Sequence, residues 1–421
     1  MTPSARLQAV IEIFDQLQTT SQPADRLLRD WARAHRFAGS KDRAAIAERV
    51  FTLLRHRFSF AWRMQNESAR AIVIASLLAE GKIGELSVLF DGSRYAPSPL
   101  TEDESHRVAS PPDIGPLSVQ GDFPEFLQPD LQRAFGENIV AEAKALATRA
   151  PVDLRVNRLK ANRDEVLKEM RAEGYAAEAT KFSPYGIRIP SAPGLSSLGR
   201  HALFEAGAFE FQDEAAQVAA LLAGAKPGER VLDLAAGAGG KSLALAAEMQ
   251  ERGEIVACDI DGKRLFALDP RAVRAGVSII RTHVLRGPVP EGPFDIVFVD
   301  APCSGTGVWR RQPELKMRLT EGRLVELVGL QDRLLDQAAA CVRPGGRLVY
   351  ATCSVLPREN EDRMAAFQAR HPRFRIQSSG TLWREAGAAT SLPISGDFFR
   401  ASPYVTETDG FFAGVFVLPE I

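Results

Sequence analysis

The chain has 421 residues, 45% of them hydrophobic, with 52 lysines and arginines against 53 acids and a formal net charge of −1. That length supports two or three domains with real cores, and the near-neutral charge excludes a generally cationic nucleic-acid binder while leaving room for local basic surfaces. No apolar run approaches membrane-spanning length, and the acids within MTPSARLQAVIEIFDQLQ do not suit a signal peptide, so a cytoplasmic protein is expected. Cysteines at 258, 303, 341 and 353 show no C-x-x-C spacing and no neighbouring histidine pair. Free thiols in a reducing compartment, and no metal site, are the expectation.

Residues 1–90 read as helical. Leu7, Val10, Ile11, Phe14 and Leu17 recur at helical spacing, as do Ala47, Val50, Phe51 and Leu54. No strand-like alternation appears, so a helical bundle is predicted. Arg26, Arg29, Arg33, Arg36, Arg43, Arg49, Arg55 and Arg57 enrich its polar faces. For any one of them a solvated surface is the plainer reading; together they suggest an RNA contact. Residues 91–120 are rich in proline, serine and acids and read as a linker. Residues 121–205 alternate short helices with strands such as VDLRVN and GIRIP, which suggests a small α/β domain.

From residue 206 to 421 the pattern is clearer. DEAAQVAALLAGA is a helix with Asp213 as its N-cap. RVLDLA, EIVACDI, VSIIRT, FDIVFVD, RLVYATCS and GVFVL are short apolar strands, mostly separated by helical segments. Near-continuous apolar strands alternating with helices predict a parallel, doubly wound, Rossmann-like sheet. Ligands of such sheets bind beyond the carboxyl ends of the strands. Polar residues at those ends are therefore the site candidates.

The first of these strands runs into DLAAGAGGK. Gly237, Gly239 and Gly240 let backbone approach a ligand or pack closely, and a helix N-terminus follows. The spacing is neither a Walker loop nor G-x-G-x-x-G, so tight strand–helix packing is the competing reading. The next strand ends at Asp259, suitably placed to accept from ribose hydroxyls, with Asp261 as its near competitor. Together these features suggest a nucleoside-bearing cofactor, either a dinucleotide or S-adenosylmethionine. Two further strands end in DAPCSGTG and ATCS. If they are neighbours, about 4.8 Å apart, Cys303 and Cys353 share one cleft with Asp300 and Lys241. Cys258 and Cys341 read as small buried hydrophobes. A thiolate added to carbon 6 of a pyrimidine makes carbon 5 nucleophilic, an acid near N3 stabilises the adduct, and a base must then remove the carbon-5 proton. Two thiols and a carboxyl suit that chemistry, but position alone does not say which cysteine attacks.

These residues resemble the Nop/Sun family of S-adenosylmethionine-dependent RNA cytosine-5 methyltransferases. The likeness lies in FDIVFVDAPCSGTGVWRRQPE, RLVYATCS, FQDEAAQ and DGFF, the last being Asp409 to Phe412. KDRAAIAERVFTLLRHR is similar to the NusB-like helical domain of the ribosomal small-subunit methyltransferase B branch, and VDLRVNRLK to its accessory RNA-binding domain. The resemblance implies that Cys353 is the nucleophile, that Cys303 serves product release, and that Asp300 contacts cytosine N3 near the methionine end of the cofactor. It implies a cofactor loop of Ala235, Ala236, Gly237, Ala238, Gly239, Gly240 and Lys241, with Lys241 reaching into the site and Asp259 on the ribose. The family's C-A-A-P-G-G-K is here A-A-G-A-G-G-K. The third strand lacks the usual acid near adenine, where His283, Thr282 or a neighbouring residue is expected to substitute.

The expected activity is methylation of a cytosine in RNA, most naturally 16S ribosomal RNA, by a monomer with no metal and no membrane partner. Transfer RNA or another ribosomal RNA is an alternative substrate. A DNA methyltransferase would attack with the P-C cysteine, and the T-C-S cysteine and helical N-terminal region oppose it. A non-catalytic ribosome-assembly factor would not need both cysteines, Asp300 and Lys241. Charge reversal of several of the N-terminal arginines is expected to weaken RNA binding in a filter or gel-shift assay. Unchanged affinity would remove that region from RNA recognition.

Overall fold

The computed structural model describes residues 1–190, 195–386 and 390–420. The chain packs as two units. One comprises Met1–Thr148 with the excursion Val308–Glu321, the other Arg149–Gly307 with Gly322–Ile421.

The first unit is helical, as its spacing predicts. Its main helices are Pro3–Thr19, Ala24–Ala34, Ser40–Arg55, Arg57–Met64 and Ala69–Ala79. Thr2 caps the first helix by accepting from the Ala5 amide at 3.1 Å. Leu7, Val10, Ile11, Phe14 and Leu17 are all buried, in one core with Val50, Leu54 and Ile72. Arg49 is paired with Glu80 and Arg57 with Glu67, whereas Arg26, Arg29, Arg33, Arg36 and Arg43 are exposed. The stretch read as a linker carries helices Glu102–Ala109 and Leu117–Gln120. Thr101 and Glu104 form a capping box that starts the first of these; its high charge leaves no apolar stripe to betray it. Helices Gln128–Phe135 and Ile139–Leu146 also lie in this unit.

The excursion Val308–Glu321 is tied into the same helical unit. Lys316 is buried, and its ammonium donates to the carbonyls of Asp122 at 2.9 Å and Arg55 at 3.3 Å. Burial pushes its pKa down to about 8, against the opposing pull of Asp122. Glu314 accepts from the Ala24 amide at 3.2 Å.

The second unit holds two sheets. The smaller comprises β1 (Val152–Val156), β2 (Glu178–Ala179), β3 (Gly186–Ile189) and β4 (Phe209–Phe211), in the order β2-β3-β1-β4 and wholly antiparallel. The larger comprises β5 (Arg230–Asp233), β6 (Glu254–Asp259), β7 (Ile280–Val284), β8 (Phe294–Asp300), β9 (Val342–Thr352), β10 (Arg375–Gln377), β11 (Ile394–Ser395), β12 (Phe398–Ala401) and β13 (Phe411–Val417). Its order is β11-β12-β13-β9-β8-β5-β6-β7, with β10 also on β13. β5 to β9 are mutually parallel, as expected. β10 to β13 run antiparallel, so the sheet is mixed rather than parallel throughout. An apolar strand such as GVFVL reads the same in either direction, and only its partner fixes the sense.

A buried carboxylate joins the small sheet to the helix Glu214–Leu222. Asp153 accepts two hydrogen bonds from Arg188, at 2.8 and 2.7 Å, and a third from the Glu214 amide at 3.0 Å. Removing it takes both hydrogen bonds from a largely buried guanidinium and leaves it the more distant Glu214 carboxylate, 3.7 Å away. Asp153→Ala is expected to cost about 3 kcal/mol, read as a lower urea midpoint of the second unit's transition; a midpoint like the parent's would show the pair to be dispensable.

Candidate active site

β5 ends at Asp233, and the backbone then bends through Ala235 to Gly239 before the helix Gly240–Glu248, whose second residue is Lys241. The bend is braced by its neighbours. The Ala236 amide donates to the Cys258 carbonyl at 2.8 Å, and the Gly237 amide to Asp259 Oδ2 at 2.8 Å. Asp259 Oδ1 accepts from the Asp261 amide at 2.8 Å. Asp259 therefore holds the loop as well as facing it. Gly239 has φ +76°, and a Cβ there would lie 2.1 Å from Leu268 Cδ1, so glycine is required. Asp261 caps the helix Gly262–Phe266, its Oδ1 accepting from the amides of Lys263 and Arg264.

β8 and β9 are neighbours, with Asp300 in register with Ala351. Cys303 and Cys353 follow on the two loops beyond, and their sulfurs lie 3.3 Å apart. Both are half-buried, while Cys258 and Cys341 are buried elsewhere in the core. Lys241 Nζ donates to Asp300 Oδ2 at 2.5 Å and lies 5.2 Å from the centre of the Phe411 ring. Burial would lower the Lys241 pKa, but the adjacent Asp300 charge and hydrogen bond outweigh it and hold the ammonium above its ordinary value. Lys241 is thus a fixed cation. The Cys303 thiol is pushed well up, first by its hydrogen bond with Cys353, then by burial and by the charges of Cys353 and Glu359.

Cys303, Cys353, Asp300 and Lys241 are thereby gathered, with the 235–241 loop and Asp259 beside them. His283 is not gathered with them. It is exposed on the outermost strand, β7, in register with Cys258. Alternation puts it on the sheet face opposite to Asp259. Thr282 is half-buried two residues before Val284, Asp259's register partner. Motif reading also missed several residues. Asp233 is fully buried, with Oδ2 accepting from Ser242 at 2.6 Å and Oδ1 without a partner. Exposed Arg264 reaches the loop, its Nη2 only 2.8 Å from where a Gly237 Cβ would stand. Arg155 donates to the Gly240 carbonyl and to Gln212, each at 2.8 Å. The DGFF block joins the site through backbone: the Gly410 amide donates to Gly307, and the Gly307 amide to Cys353. The available signals were Asp233 at a strand's end and the arginine five positions past Asp259.

Two family models match the chain: the 16S rRNA methyltransferase RsmB/F model over residues 219–417 and the ferredoxin-like domain of the RsmF/B-like methyltransferases over 123–195. The chain belongs to the RsmB/F family. Ribosomal RNA small subunit methyltransferase B of Sodalis glossinidius is 34% identical over 68% of this chain and 66% of its own. The protein of the same name from Pseudomonas syringae pv. tomato is 37% identical over 60% and 56%. The matched stretches thus span less than two thirds of these relatives. Among solved structures, PH0851 superposes with a TM-score of 0.75 at 24% identity over 99% of both chains. NSun6 from Pyrococcus horikoshii does so with 0.61 at 19%, over 71% of this chain and 99% of its own. At such identities these two show the fold.

RsmB/F proteins use S-adenosylmethionine, and the loop fits it. A Cβ on Gly240 would stand at ordinary contact distance, 3.9 Å, from Arg271 and Gln212, so packing alone does not demand glycine at the helix start. Asp259 spends one lone pair of each oxygen on backbone and keeps others for hydroxyls. Among the described residues no cluster could hold a metal ion, and no helix is long and apolar enough to cross a membrane.

Asp233 gives this RsmB/F chain a pH signature. Burial raises its pKa from 3.8 to about 7, with Asp300 adding and the Ser242 hydrogen bond opposing. Between those values the unfolded chain has lost the proton that the folded chain keeps. Stability from this group is therefore full below the lower pKa and is lost as pH rises towards the upper one, by up to roughly 1.4 kcal/mol per unit. Asp233→Asn is expected to gain on the parent steadily from about pH 4 to 7 in urea titrations. A pH-independent difference would show that Asp233 ionises normally.

Proposed function

We propose that this protein methylates carbon 5 of a cytosine in RNA, with 16S ribosomal RNA as substrate and S-adenosylmethionine as donor, in the bacterial cytoplasm. The observation that carries the reading is the pair of thiols 3.3 Å apart beyond two neighbouring parallel strands, beside a lysine–aspartate pair. Ribosomal RNA enters through the family and the names of its relatives. RNA contact by the helical unit rests on its exposed arginines.

Cys353 is the nucleophile in this reading. Its thiolate bonds to carbon 6, and electrons move through the ring to make carbon 5 nucleophilic. Asp300 meets N3, with the proton drawn from the Lys241–Asp300 pair. When bound, the cofactor supplies an electrophilic methyl, held by Ala235 to Lys241 and by Asp259. Cys303 acts on release: the carbon-5 proton leaves to a base, the carbon 6–sulfur bond breaks with its electron pair returning to Cys353 as thiolate beside the Cys303 thiol, the N3 proton goes back to the Lys241–Asp300 pair, and the methylated RNA leaves the chain. The raised pKa of Cys303 supports this division, because a neutral Cys303 can donate to an anionic Cys353. A pair of thiols in contact is poised to carry one charge, not two.

The test separates the two cysteines. Cys353→Ala is expected to abolish methyl transfer from labelled donor to RNA, by at least about a thousandfold. Cys303→Ala should instead accumulate a covalent protein–RNA complex, seen as a slow band on a denaturing gel. A trapped complex in Cys353→Ala, with none in Cys303→Ala, would reverse the roles. Methyl transfer undiminished in both would end the proposal.

A further inference from the structure

Two fully buried side chains with no part in the chemistry above converge on the residues either side of Cys303. Glu359 lies in the short helical turn Pro357–Glu359, beyond the Cys353 loop. Its Oε1 accepts from the Ser304 amide at 2.8 Å, and its Oε2 from the Ser304 hydroxyl at 2.5 Å. Gln331 lies on the helix Glu321–Ala339. Its Nε2 donates to the Pro302 carbonyl at 2.9 Å and to Glu359 Oε1 at 3.0 Å. The residue before Cys303 is thus held by Gln331, the residue after it by Glu359, and the two holders are bonded to each other.

Such an arrangement is costly. A buried carboxyl is tolerated only when its hydrogen bonds are satisfied, and among the described residues no ion pair shares this one. Gln331 uses its amide nitrogen twice, while its oxygen is buried with no hydrogen bond. Packing alone would be served better by an apolar side chain of similar size. What the pair does is fix three consecutive residues, Pro302 to Ser304, over one of two adjacent thiols.

Cys353 is anchored separately. It directly follows β9, its carbonyl accepts from Gly307, and the next residue's carbonyl accepts from Asn360 at 2.9 Å. Asn360 is in turn held by Thr352 at 2.6 Å. The two anchor sets also meet: Glu359 directly precedes Asn360, Gly307 binds the Cys353 carbonyl, the Val355 amide donates to Thr306 at 3.0 Å, and the hydroxyls of Ser304 and Thr306 meet Ser354 at 3.3 and 3.1 Å. The side chains of Glu359 and Gln331, however, bond to Pro302, Ser304 and each other and not to the Cys353 loop, so substituting them loosens the Cys303 side first.

We infer that Gln331 and Glu359 are the positioning residues of Cys303, holding its thiol against Cys353 so that the methylated adduct can be released. The inference rests on the division of labour proposed above. It predicts a distinctive failure: attack and methyl transfer continue, and release does not.

The experiment uses the full chain with Glu359→Gln and, separately, Gln331→Met, each close in shape to the parent residue. Single-turnover methyl transfer should stay within about threefold of the parent, while multiple turnover falls at least about tenfold and covalent protein–RNA complex accumulates. Adding either substitution to Cys303→Ala should change nothing further, as expected of residues acting through that one group. A merely structural role would lower single and multiple turnover together and trap no complex. That result in both variants, or parent-like turnover in both, overturns the inference. Cys303→Ala serves as the control. If it traps nothing, the proposed roles of the cysteines fail, and this inference with them; if it traps complex and the two variants do not, the inference alone fails.

Discussion

The site depends on the parallel pairing of β8 with β9. Their register sets Asp300 beside Ala351, and Cys303 and Cys353 follow within three residues of that pair. Parallel neighbours place their carboxyl ends at the same edge of a sheet. Two cysteines separated by 50 residues of chain thereby come within 3.3 Å. β5 lies on the other side of β8, so the loop carrying Lys241 starts one strand spacing away, which is why Lys241 can reach Asp300. A one-residue slip between β8 and β9 would turn one of the two strand-end residues to the opposite face.

Around that pairing the chain places buried polar groups in two tiers. One braces the cofactor loop: Asp259 takes its Gly237 amide, while Arg155 and Arg271 take its Gly240 and Ala238 carbonyls. The other braces the cysteine loops through Glu359, Gln331, Asn360 and the hydroxyls of Ser304, Thr306 and Ser354. Neither tier needs to touch a substrate. Both replace the strand hydrogen bonding that these loops lack, and each fixes a reactive group at the cost of desolvating polar atoms. Arg155 comes from the small antiparallel sheet, so that sheet contributes directly to the geometry of the cofactor loop.

The excursion Val308–Glu321 shows where a continuous motif and a continuous structure part company. FDIVFVDAPCSGTGVWRRQPE reads as one block, yet its residues up to Gly307 pack in the second unit and those from Val308 onward in the first. Lys316 is buried there against the carbonyls of Asp122 and Arg55. Nothing in the composition of the segment marks the change, because a short polar stretch can be buried wherever its donors find carbonyls.

By itself the sequence determined six of the nine strands of the large sheet, though not the short β10, β11 and β12, together with the helical character of the N-terminal region, the glycine loop, Asp259 as a strand-end acid and the paired cysteine motifs. Each is carried by local spacing: apolar runs for strands, three-to-four-residue recurrence for helices, glycines at a bend. Only the tertiary structure decided the rest. The antiparallel sense of β10 to β13 depends on partners, and the helices within 91–120 depend on caps rather than an apolar stripe. His283 was legible as a strand residue but not as one facing away from Asp259, because facing follows from register. Glu359 and Gln331 were invisible for the same reason: a glutamate after a turn and a glutamine on a long helix look like solvated surface until the fold closes over them. Side-chain pairing across distant segments leaves no period in a sequence, and this site is built from such pairs.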